Sequence, residues 1–147
     1  MFENFGMYFE QVKRAIFSFN SLAYDSKYDN YNDDTKLLAA LIYAEAGIED
    51  WDGKVYVADS VLNRVNSSDP YWPDSIYDVI YQKGQYSCVN DGNLKKAFKE
   101  VTDECFEIAI QELNAITNTD IIYFRTGHYS KWGEPLFKHG RHYFSKE

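Results

Sequence analysis

A chain of 147 residues is long enough for one domain with a core of its own. With 45% hydrophobic and 26% charged residues it reads as globular rather than disordered. A net charge of -8 and a pI near 4.8 argue against nucleic-acid phosphate as the main partner, but leave room for a neutral or mixed-charge polymer such as a glycan.

Residues 2–22 open the chain with Phe2, Phe5, Phe9, Val12, Ile16 and Phe19 at intervals of three or four, which predicts an amphipathic helix. Glu3, Glu10, Lys13 and Arg14 interrupt the apolar core that a secretory signal needs. No apolar run approaches the length of a bilayer span. The expectation is a chain made in the cytoplasm without a leader, and acting as a monomer.

Tyr24 to Asp34 is polar, rich in Asn and Asp and aperiodic, so it reads as a linker. Asp33, Asp34 and Thr35 then offer an N-cap for a helix that Gly47 would stop. Val55, Ala58, Val61, Leu62 and Val65 mark a second helix, ended by Ser67-Ser68-Asp69-Pro70. A short helix is predicted from Ser75 to Tyr81. "GQYSCVNDGN" reads as a strand entering an Asn-Asp-Gly turn. "VTDECFEIAIQELNAIT" predicts a helix whose inner face carries Phe106, Ile110 and Leu113. Two strands, "DIIYF" and "RHYF", flank a loop containing Lys131 to Pro135. The mixture is α+β, mostly helical, without internal repeats.

Glu45 is the candidate for chemistry. It follows Leu37, Leu38, Leu41 and Ile42 on one helical face, where an unpaired carboxylate is costly and responds by a raised pKa. It also lies in the last turn, where the helix dipole disfavours negative charge. Both effects suit a general acid working near neutral pH. The competing reading pairs Glu45 with a cation such as Arg64. A second carboxylate, if one is needed, would come from Glu49, Asp50, Asp52, Asp91 or Glu134, with Glu49 and Asp50 read as solvated loop.

Other chemistries find less support. His139 and His142, on a strand, would point to opposite faces, and His128 stands alone, so no metal site or cofactor is expected; His142 reads as buried and hydrogen-bonded. Cys88 and Cys105 are too few for a disulfide framework and read as separate reduced thiols, with Cys88 an inert core thiol. Ser87 lacks a GxSxG context, and no phosphate-binding glycine motif occurs. Aromatic residues make up 18% of the chain, through 13 Tyr, 10 Phe and 3 Trp; some could line a groove and stack on sugar rings.

Several motifs in order carry a resemblance. Ala44-Glu45-Ala46, Gly53, Val61 to Val65, Pro73, Val79 to Gly84 and Val89 to Gly92 are followed by Tyr123, Phe124, Trp132, Pro135, Gly140, His142 and Phe144. This pattern, over residues 36–145, resembles the catalytic domain of the SleB/CwlJ-like cell wall hydrolases, which include spore-cortex-lytic enzymes. The resemblance implies a lysozyme-like α+β fold and cleavage of peptidoglycan between N-acetylmuramic acid and N-acetylglucosamine. Residues 36–147 would form the catalytic domain and residues 1–35 an N-terminal helix and linker outside the pattern.

Members of the family are read as lytic transglycosylases, so Glu45 would serve as acid and then base. Tyr86, Ser87, Tyr123 and His142 match positions along the groove. A hydrolytic muramidase and a non-catalytic wall-binding phage module are the alternatives. Cys88 stands where a small residue such as Ala is usual. The resemblance places the action at the cell wall or spore cortex, reached by phage delivery, by lysis or from the spore coat.

Overall fold

The computed structural model describes residues 28–147, so the helix expected over 2–22 lies outside the described residues. Five helices are followed by a small sheet: α1 (Asp33–Ala46), α2 (Trp51–Val65), α3 (Ile76–Tyr81), α4 (Asn93–Glu100) and α5 (Asp103–Asn114), then β1 (Tyr123–Thr126), β2 (Glu134–His139) and β3 (His142–Lys146). A single 3₁₀ turn, Ser87–Val89, lies between α3 and α4.

Helix α1 is the hub. Leu37 through Ile42 are all buried, Ala39 and Ala40 included, because α2, α3, α4 and α5 each pack against it. The predicted apolar stripe is therefore an apolar cylinder. Each fully buried Leu or Ile in it contributes roughly 1.5–3 kcal/mol. The helix starts one residue before the predicted cap: Asn32 Oδ1 accepts the Thr35 N–H at 2.8 Å. Gly47 does close it, but in right-handed geometry (φ -56°), and glycine is needed because a Cβ would meet the Tyr43 carbonyl oxygen at 2.6 Å. Of the expected linker, Tyr28 and Tyr31 instead stack on Phe106, with ring centroids 4.2 and 4.7 Å away.

Helices α2 and α3 follow the prediction, capped by Asp50 and Ser75, which accept from the Gly53 and Asp78 N–H groups. "GQYSCVNDGN" departs from it. Ser87–Val89 is a 3₁₀ turn rather than a strand, although Gly92 does take the left-handed turn conformation (φ 86°). The helix α4 that follows was not predicted. Its inward face is only Leu94, Ala97 and Phe98, too short a stripe to stand out, while Lys95 and Lys96 are exposed. Helix α5 buries Cys105, Phe106, Ile108, Ala109 and Glu112; the predicted face is rotated, leaving Leu113 36% exposed and Ile110 only partly covered.

The sheet is antiparallel in the order β1-β3-β2, with Phe124 opposite Phe144 and Thr126 opposite His142. Glu134 and Pro135, expected in a loop, open β2; Pro135 is tolerated because β2 is an edge strand with a register irregularity beside it. His139 and His142 are cross-strand partners at the β2–β3 turn, not successive residues of one strand. A second apolar cluster of Ala46, Val57, Ile121 and Phe144 joins this sheet to the end of α1 and the middle of α2.

Candidate active site

The last turn of α1, the C-terminal half of α2, the 3₁₀ turn and strands β1 and β3 converge on a cavity of about 180 Å³. Glu45 lines it together with Tyr86 and Ser87 from the 3₁₀ region, His142 from β3, and Arg64 from α2. Phe124, Arg125 and Thr126 of β1 close the opposite wall. Tyr123 lies next door, in a wider groove of about 620 Å³ that shares Arg64, Gln85, Phe124 and Arg125 with the first. Exposed rings stand on this groove: Tyr71 is 57% and Trp132 63% solvent-accessible. The two cavities make one cleft with a narrow end at Glu45 and an aromatic-walled outer end.

Glu45 is half-buried, and burial raises its pKa. The Cys88 thiol hydrogen-bonds its carboxyl and partly offsets this, while the negative charge of Asp91 raises it further. Cys88 is accordingly not an inert core thiol in its contacts. Burial and the neighbouring Glu45 push its pKa up, which keeps the S–H proton available to donate. Both cysteines are free and buried.

The competing pairing of Glu45 with Arg64 does not form among the described residues. Arg64 Nε donates to the Ile122 carbonyl at 2.8 Å, and Nη1 donates to Tyr86 Oη at 3.2 Å and Gln85 Oε1 at 3.3 Å. Its guanidinium lies 4.5 Å from the Trp72 ring centroid.

The other carboxylates are occupied elsewhere. Glu49 is buried rather than solvated: Arg141 donates to it from Nε at 2.9 Å, and although burial opposes this, the Arg141 contacts hold its pKa low. Asp50 caps α2 and contacts His139 Nε2 at 2.7 Å; the Gly53 N–H and His139 lower its pKa. Asp91 accepts from Asn93, Glu134 pairs with Lys146 at 3.3 Å, and Asp52 sits exposed in the first turn of α2. Glu45 is the one carboxylate among the described residues that line the narrow cavity.

His142 is buried as expected, yet its Nδ1 has no hydrogen-bond partner among the described residues. Burial lowers its pKa, so the ring is neutral at neutral pH. Among the described residues no group of three His, Cys, Asp or Glu side chains could hold a metal ion, and no helix is long and apolar enough to cross a membrane.

Arg64, Gln85, Arg125 and Thr126 also line the cleft, beyond the positions expected from the sequence. Arg64 had a visible signal, a cation among the apolar positions of α2, and Gln85 adjoins Tyr86; Arg125 and Thr126 carry none, since only the fold brings β1 over Glu45.

The sequence profile of the Cell Wall Hydrolase family matches residues 48–145. The chain belongs to that family. The matched stretch opens three residues after Glu45, so it spans most of the cleft walls but not that carboxylate. The spore cortex-lytic enzymes of Bacillus subtilis (strain 168) and Oceanobacillus iheyensis are each 30% identical over 119 residues, 77% of this chain. Those residues make up 37% and 41% of the two proteins, so the chain spans about two fifths of their length.

Among solved structures, the catalytic domain of the germination-specific lytic transglycosylase SleB from Bacillus anthracis superposes with a TM-score of 0.65 at 25% identity, covering 80% of this chain and 98% of that one. The Bacillus cereus SleB catalytic domain gives 0.66 at 26% identity, covering 80% and 94%. The α+β fold, mostly helical with a small antiparallel sheet, is thus the fold of these catalytic domains.

Proposed function

We propose that this cell wall hydrolase is a peptidoglycan lytic transglycosylase that cleaves the bond between N-acetylmuramic acid and N-acetylglucosamine and leaves 1,6-anhydro-muramic ends. The observation that carries the reading is a lone, half-buried carboxyl with a raised pKa at the narrow end of a cleft. Protonated Glu45 gives its proton to the glycosidic oxygen as the C1–O bond breaks. The resulting carboxylate then takes the proton of the muramic C6 hydroxyl while O6 closes on C1. Glu45 ends protonated, no water is consumed, and one carboxyl suffices.

Family membership and the likeness to SleB catalytic domains support this assignment. Tyr86, Ser87 and neutral His142 supply the walls and hydrogen-bonding groups around the sugar next to Glu45, and Tyr123 extends the groove outward. Residues 36–147 form the catalytic unit in this reading, and its substrate lies in the cell wall or the spore cortex.

The Glu45→Gln variant tests it. The amide keeps the shape but neither donates nor accepts the needed proton, so release of fragments from purified peptidoglycan is expected to fall about 10²–10⁴-fold with the circular dichroism unchanged. Unaltered turnover would remove Glu45 from the mechanism.

A further inference from the structure

The cleft carries positive charge in a chain whose net charge is -8. Arg64, only 4% exposed, lines both the narrow cavity and the outer groove, and exposed Arg125 lines both from the rim. Neither makes an ion pair among the described residues. A guanidinium removed from water without a carboxylate partner is costly, and proteins seldom leave one so.

The contacts of Arg64 fix its plane without neutralising it. Nε and Nη1 are held by a carbonyl, a phenol and an amide, and Trp72 packs against the guanidinium. Nη2 has no acceptor among the described residues. The acids that share these cavities, Glu45 and Asp69, do not pair with it; Asp69 Oδ1 accepts the Tyr71 N–H instead. A planar fork with a free limb, positioned beside the carboxyl assigned to chemistry, suits a carboxylate arriving with the ligand.

We propose that Arg64, assisted by Arg125 at the rim, is a specificity-determining residue that receives a carboxylate borne by the muramyl unit of the glycan. The inference rests on the peptidoglycan reading above. Arg64 and Glu45 line the same small cavity, so the carboxylate belongs to the sugar whose C1 reacts. It has two possible sources: the free lactyl group of a strand stripped of peptide, or the acidic residues of an attached peptide stem.

The test is titration calorimetry of the full chain carrying Glu45→Gln, which binds without turnover. Three probes are compared: peptide-stripped glycan strands, the same strands with their lactyl carboxylates converted to methylamides, and strands with stems intact. A charge-assisted pair predicts about 10- to 100-fold tighter binding of a carboxylate strand than of the methylamide strand. The preference should shrink with added salt and disappear when Arg64→Gln is added.

Preference for the stripped strands assigns the lactyl group; preference seen only with intact stems assigns the stem. Equal or undetectable binding of all three probes overturns the proposal, and this comparison changes the ligand, so it stands even if Arg64→Gln fails to fold. A wild-type protein that binds with the expected preference yet releases no fragments would overturn the cleavage reading and leave the carboxylate site intact.

Discussion

The proposed mechanism asks one carboxyl first to give a proton and then to take one, which needs a pKa held between two extremes. At Glu45 burial and the Asp91 charge push upward, and the Cys88 thiol hydrogen bond pulls back by stabilising the ionised form. Removing the thiol leaves the upward effects unopposed. The Cys88→Ala variant is therefore expected to move the alkaline limb of the pH–rate profile to higher pH, since that limb reports loss of the acid proton. An unmoved limb would show that the thiol does not tune Glu45. None of this was legible in the chain: Cys88 beside Val89 looks like core, and only the passage of the 3₁₀ turn across the end of α1 gives it a carboxyl to face. The half-buried position of Glu45 was legible, because the large side chains Leu37, Leu38, Leu41 and Ile42 phase it inward.

Between elements, two polar contacts do work that hydrophobic periodicity cannot announce. The first clips the β2–β3 turn to the start of α2: Arg141 holds Glu49, and Gly140 (φ 55°) leaves the room that the Glu49 carboxylate occupies, since a Cβ there would overlap Glu49 Oε2. Gly140→Ala should cost roughly 1–3 kcal/mol through strain and displacement of Glu49, read as a melting temperature lower by several degrees. A variant as stable as the parent would show the clip to be slack. The second joins α2 to the end of α5, where Asp59 and Glu112 meet fully buried. Asn118 donates twice to Asp59 Oδ2, while Thr117 and Gln111 donate to Glu112. Asp59 Oδ1 meets no ordinary donor, so it carries the proton and offers it to Glu112.

Burial and that hydrogen bond push Asp59 up to about 8, whereas hydrogen bonds from Asp59, Gln111 and Thr117 outweigh burial and hold Glu112 low. Because its folded pKa is raised, the Asp59 contribution is full below the unfolded value of 3.8 and is lost as pH rises toward about 8. Because its folded pKa is lowered, the Glu112 contribution is present above 4.5 and is lost as pH falls. Asp59→Asn mimics the protonated partner. Its melting temperature should decline less between pH 5 and 8 than that of the parent, and parallel declines would contradict the shared proton. A glutamate one residue before Leu113 reads as surface; the α5 face is rotated to bury it because Asp59 and Thr117 supply its partners.

Taken whole, the molecule is a helical body around α1 with a three-stranded sheet closing the cleft at its end. The long helices were legible because their apolar positions recur over several turns. Helix α4 was not, being short, and strand β2 was not, because an edge position and a register irregularity break its alternation. The same contacts bring β1 and β3 over Glu45 and give an acidic chain a cleft lined by Arg64 and Arg125. One carboxyl at the narrow end of that cleft is the central claim, and the chemistry it permits leaves a mark on the product. Mass spectrometry of the fragments released from purified peptidoglycan by the wild-type chain reads that mark directly. Anhydro-muramic ends, one water lighter than reducing ends, are the predicted result; reducing ends would contradict it and require a water-activating carboxylate beyond Glu45.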